Sequence, residues 1–146
     1  MSARWSAVAL VVVLAAPVSA QNKVNPLASA KSYKCSFPTY ATWTWGPNSQ
    51  VLTGPQDFSF QIDTLDFKKG RARVISPTGS TPVSMVLSET GMNIIEQTPI
   101  GNFNLTTIFV AGGSGTKLLA AHSRHLGETD DTPHVSQAYG SCEKGS

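Results

Sequence analysis

The chain reads as one all-β domain, a small antiparallel meander of about eight strands forming a barrel or sandwich. Three observations carry that expectation. Short runs of β-branched and aromatic residues are punctuated by Gly and Pro along the chain, a spacing typical of sandwiches and barrels rather than of alternating strands and helices. Two runs alternate with a period of two: Tyr33, Cys35 and Phe37 against Ser32, Lys34 and Ser36, then Phe58, Phe60 and Ile62 against Ser59, Gln61 and Asp63, the pattern of half-buried strands. The two cysteines, Cys35 and Cys142, stand near the two ends of this patterned region, where one bridge would join the first strand to the last.

Taken in order, Met1 to Ala20 has the form of a secretion leader: Arg4, an apolar run from Ala7 to Ala16, then Pro17, Val18, Ser19 and Ala20 as a small-residue cleavage site. Removing these 20 of 146 residues leaves 126, one domain's worth. No later stretch approaches the roughly 18 consecutive apolar residues of a spanning helix, so no integral membrane segment is expected in the mature chain. The expected location is secreted or periplasmic. In such an oxidising compartment two cysteines with no competing thiol pair with each other, and a C-x-x-C redox spacing is absent.

Residues 21–31, with Asn25, Pro26 and several small side chains, read as a flexible lead-in, and the β domain is expected over 32–144. Gly46 to Asp57 reads as a Gly- and Pro-rich loop. Lys68-Lys69-Gly70 turns the second strand back onto Arg71 to Ser76. The next runs are Val83 to Ser88 and Met92 to Gln97, with Thr90-Gly91 as a tight turn between them. Pro99 to Asn102 then forms a hairpin loop ahead of Phe103 to Val110. The last two runs are Lys117 to His125 and Val135 to Cys142. The stretch 117–126 is ambiguous, because it has helix formers, N-cap candidates in Ser114 and Thr116, and Gly127 where a helix would stop. A strand continues the meander, and Leu118, Leu119, Ala120 and Ala121 suit one buried on both faces.

Charge excludes some functions. Eleven basic residues less Arg4 leave ten against nine acidic, about +1 for the mature chain, with no basic stripe to bind nucleic acid. No cofactor motif is present: Gly112-Gly113-Ser114-Gly115 lacks the Lys-Ser/Thr ending of a phosphate loop. Asn104-Leu105-Thr106 matches a glycosylation sequon but lies inside a strand.

Candidate functional residues remain. In a strand His122 and Arg124 share one face, Ser123 and His125 the other, so His122 and His125 cannot hold one metal ion. Glu96 shares a face with Ile94 and is the candidate buried acid; Asp63, Asp66 and Glu89 supply no identifiable partner for paired-carboxylate chemistry. Ser123 and His125 with Asp130 or Glu128 would make a hydrolytic set, though no G-x-S-x-G elbow is present. Glu128, Asp130, Asp131 and His134 read as a solvated loop without EF-hand spacing. Trp43 and Trp45, on one face of an extended segment beside Tyr40, offer an aromatic ledge for a sugar, lipid or protein; core filling is the simpler expectation for both.

Tyr33-Lys34-Cys35 and the closing Cys142 resemble the bookends of small periplasmic lysozyme-inhibitor barrels, a resemblance that implies an eight-stranded meander pinned by a terminal disulfide. It covers about a tenth of the chain and transfers no functional residue. The expected function is a non-catalytic binding or interaction module whose partner is a protein or a small ligand, with Trp43, Trp45, Glu96, His122 and Arg124 as binding candidates. The alternatives are a carrier of a small apolar ligand and a small hydrolase built on His122 to His125.

Overall fold

The computed structural model describes residues 25–43, 45, 48–127 and 133–145. The leader, together with Glu128, Asp130 and Asp131, lies outside the described residues. Eight strands follow a short 3-10 turn at Pro26–Ser29: β1 Ser32–Trp43, β2 Val51–Asp66, β3 Arg71–Ser76, β4 Gly79–Leu87, β5 Gly91–Gln97, β6 Phe103–Phe109, β7 Lys117–Leu126 and β8 His134–Gly145. Each pairs antiparallel with the next, and β8 returns to β1, so the meander closes into a barrel. The ring of pairings is complete, but over Val51–Phe60 β2 pairs with β1 alone, because its ladder with β3 begins at Gln61. Cys35 and Cys142 are directly opposed across the β1–β8 seam, Cα atoms 4.0 Å apart, and are joined by the disulfide.

The period-two alternation sets the core. Tyr33, Cys35, Phe37, Phe60, Ile62, Met92, Ile94, Ile108, Leu118 and Cys142 all point inward and are buried, while Lys34, Asp57, Gln61, Arg71 and Arg73 face out and are exposed. No helix among the described residues is long and apolar enough to cross a membrane.

Three sequence expectations are corrected. The first is the loop at Gly46–Asp57: Val51 to Asp57 belongs to the sixteen-residue β2, with Val51 opposite Trp43 and Pro55 opposite Thr39. Gly54 leaves room for the Tyr40 ring, whose Cε1 would be only 3.3 Å from an added Cβ, and the register shifts beside Pro38 let β1 bend. On the other flank of that bend Gly140 is obligatory, since a Cβ there would collide with the Ser36 carbonyl.

The second is the lead-in. Over Asn25–Lys31 the chain plugs the barrel's base: Leu27 is fully buried, Tyr33 Oη donates to its carbonyl at 2.7 Å, and Lys144 Nζ donates to the Pro26 carbonyl at 2.9 Å. Asn25 caps the turn, accepting from the Leu27 N–H at 2.9 Å, and its side-chain N–H donates to the Ser88 carbonyl. One apolar residue tied down by such bonds carries no periodicity for a sequence reading to detect.

The third concerns β7. It is a strand, but only Leu118, Ala120 and His122 are buried on its inner face, and Leu119 is half exposed. Hydrogen bonding to both β6 and β8 satisfies its backbone in the way that a helix would have to satisfy internally.

The register stacks the inward residues in rows. Met92, Ile108, Ala120 and Gly140 face one another in one row, Ile94, Thr106, His122, Ala138 and Tyr40 in the next, and Glu96, Asn104, Arg124, Ser136 and Thr42 in the third. The interior therefore changes from apolar beside the plug to polar at the opposite end. That end is framed by the β1–β2, β3–β4, β5–β6 and β7–β8 connections.

Candidate functional site

The polar end of the barrel is open. A cavity of about 210 Å³ is lined by Phe58, Phe60 and Ile94 below and by Glu96, Asn104, Thr106, His122 and Arg124 at its side and rim. A second hollow of about 180 Å³ shares Phe58, His122 and Arg124 and extends toward Tyr40, Gln56 and His134.

Strand pairing explains the convergence. Directly opposed residues on neighbouring strands hold their Cβ atoms about 5 Å apart. Glu96 opposite Asn104, and Asn104 opposite Arg124, therefore form one row across β5, β6 and β7. Asn104 Nδ2 donates to Glu96 Oε2 at 2.8 Å, while Asn104 Oδ1 is buried without a partner. Arg124 lies over the Phe58 ring, 5.9 Å from its centroid, and takes part in neither of the ion pairs among the described residues, which are Lys69–Asp66 and Arg73–Asp63.

His122 sits one row deeper and is only 5% exposed. Its ring is surrounded by Phe37, Phe58 and Phe60, with centroids 5.6, 5.0 and 5.6 Å away. Nδ1 is 2.8 Å from Thr106 Oγ1, and Nε2 has no partner. Burial pushes the imidazole pKa down to about 4, with the Arg124 charge adding to the effect, so the ring is neutral at neutral pH.

Of the candidate residues, the fold brings Glu96, His122 and Arg124 into one cavity and leaves Trp43 and Trp45 outside it. The core expected for the tryptophans is not where they lie: Trp43 is 45% and Trp45 55% exposed. The shift beside Pro38 puts Tyr40 and Thr42, rather than Ala41 and Trp43, on the inner face of β1. Ser123 and His125, on the opposite face of β7, point outward. Ser123 accepts from Gln137 at 3.3 Å and His125 packs edge-on against Phe103 at 6.0 Å. His134 lies 3.4 Å from Thr42 Oγ1, and no group of three or more metal-ligating side chains occurs among the described residues.

Asn104 and Thr106 also line the cavity, although in the sequence they stand out only as a sequon inside a strand. A signal for them exists: both are polar residues in the inward phase of β6, as Glu96 is in β5 and Arg124 in β7, each near the same end of its strand. What fold and site define is a small disulfide-closed β-barrel with a plugged base and an open polar mouth. Comparison of the chain with protein-family models, curated proteins and solved structures gave no match.

Proposed function

We propose that this protein is a non-catalytic small-ligand-binding barrel of an oxidising compartment, secreted or periplasmic, and that its ligand occupies the mouth. The observation that carries the reading is the convergence of Glu96, His122 and Arg124 on one cavity in which two buried polar atoms, Asn104 Oδ1 and His122 Nε2, lack partners. Buried polar groups are ordinarily satisfied, and a concave site with an apolar floor and a few convergent polar groups is the usual form of a ligand pocket. At about 210 Å³ the cavity falls below the roughly 300–1,000 Å³ of drug-sized sites, so the ligand is small. The polar rim makes it amphipathic rather than purely apolar. The leader and the disulfide support the compartment.

The test is a fragment titration of the mature protein followed by amide NMR. Binding should shift Thr106, His122 and Arg124, and Asn104→Trp, which obstructs the mouth, should abolish the shifts. Fragments that perturb only other regions, or that bind the obstructed variant equally well, would refute the reading.

A second reading rests on a separate observation. Trp43, Trp45, Val51, Ile100 and Phe103 are exposed, and all belong to the mouth end of the barrel. Trp43 is flanked by Val51 and Val135 on neighbouring strands. Such rigid aromatic area suits contact with a protein. If Trp43→Ala and Trp45→Ala leave the affinity of a partner recovered by crosslinking unchanged, that surface is not its contact.

A further inference from the structure

We infer that the ligand class of the mouth is a free α-amino acid with an aromatic side chain ending in a hydroxyl, its ammonium held between Glu96 and Asn104 Oδ1 and its carboxylate on Arg124. This rests on the reading of the mouth as a ligand site and specifies its chemistry.

The argument starts from unspent hydrogen-bonding capacity. Arg124 offers five donors and no acceptor and pairs with no carboxylate among the described residues. Asn104 Oδ1 is an acceptor with nothing to accept from, and the carboxylate of Glu96 has one oxygen engaged, by the Asn104 amide. A rim with a free guanidinium on one side and two acceptors on the other matches a molecule that carries both an anion and a cation. A monocarboxylate would leave Asn104 Oδ1 unsatisfied and face Glu96, whereas a simple amine would leave the exposed Arg124 to solvent and gain nothing from it.

Spacing agrees. Glu96 and Arg124 lie on strands separated by β6, so their backbones are about 10 Å apart at the usual strand spacing. An α-amino acid separates its ammonium nitrogen from its carboxylate oxygens by about 3 Å, and a charge-assisted bond of about 2.8 Å at each end brings its span to about 9 Å.

Below the rim, Phe58 and Phe60 give an aromatic floor against which a ring stacks. His122 lies two residues deeper on β7, about 7 Å down the strand, with Nε2 unpartnered. A phenolic hydroxyl both donates and accepts, so it satisfies Nε2 whichever nitrogen carries the proton.

Calorimetry on the mature, disulfide-bonded protein with three probes tests the assignment: L-tyrosine, tyramine, which lacks the carboxylate, and 3-(4-hydroxyphenyl)propionate, which lacks the ammonium. L-Tyrosine should bind, and each analogue should bind at least about tenfold more weakly, the loss expected for one charged hydrogen-bonding partner. Arg124→Gln should erase the preference over tyramine, and Glu96→Gln the preference over the propionate, with folding of both variants checked by circular dichroism. The proposal is overturned if either analogue binds wild-type protein as tightly as tyrosine, or if tyrosine does not bind. Fragment hits in the mouth without tyrosine binding would sink the ligand class and leave the site standing; no hits anywhere would sink both.

Discussion

His122 shows how position converts a residue type into a property. Its folded pKa of about 4 lies below the ordinary 6.5 because burial penalises the imidazolium, with the Arg124 charge adding to that penalty; Glu96 in the row above is the acidic group facing the same cavity. On acidification the unfolded chain takes up the proton first. The stabilising contribution is therefore complete above about pH 6.5, is lost as pH falls toward 4, and changes no further below that. A shift of this size corresponds to a loss of order 3 kcal/mol. Urea midpoints measured between pH 7 and pH 4 should fall accordingly, and His122→Phe should flatten that part of the profile. An unchanged slope in the variant would place the acid sensitivity elsewhere. Tyr33 is a second buried titratable group, raised to about 12 by desolvation while its hydroxyl donates to Leu27. The sequence placed His122 and Arg124 on one face from the strand period alone, yet their meeting with Glu96 was not legible there, because it depends on the register of three strands.

Elements were legible where periodicity was strong and opaque where single contacts decide. The alternation around Cys35 and Ile62 marked β1 and β2, and turn residues at Lys68-Lys69-Gly70 and Pro99 to Asn102 marked two hairpins. The 3-10 plug and the first third of β2 had no such signature. Leu27→Ala should cost about 2–5 kcal/mol, the range for truncating a fully buried leucine, measured as a drop in the urea midpoint; a change below 0.5 kcal/mol would show that the plug does not support the barrel. By contrast Trp43→Ala on β1, at a position almost half exposed, should shift stability by no more than about 0.5 kcal/mol. A large loss there would restore the tryptophan to a packing role.

At the scale of the molecule, the bridge between Cys35 and Cys142 spans 107 residues and pins the seam where the meander closes. Cross-linking a loop of that length lowers the entropy of the unfolded chain by the equivalent of about 4–5 kcal/mol. The double variant Cys35→Ala with Cys142→Ala should show a loss of that order in denaturant titrations. A loss under 1 kcal/mol would mean that β1–β8 pairing and the plug hold the seam unaided. Fold class, strand number and this pairing follow from the sequence by itself, because side-chain alternation and turn chemistry are local, and two cysteines allow only one intramolecular bridge. Closure, register and the orientation of the polar residues at the ends of β5, β6 and β7 were decided by the tertiary structure. The bend beside Pro38 turned the tryptophans outward, and stacking Glu96, Asn104 and Arg124 in one row requires neighbours that lie far apart in the chain.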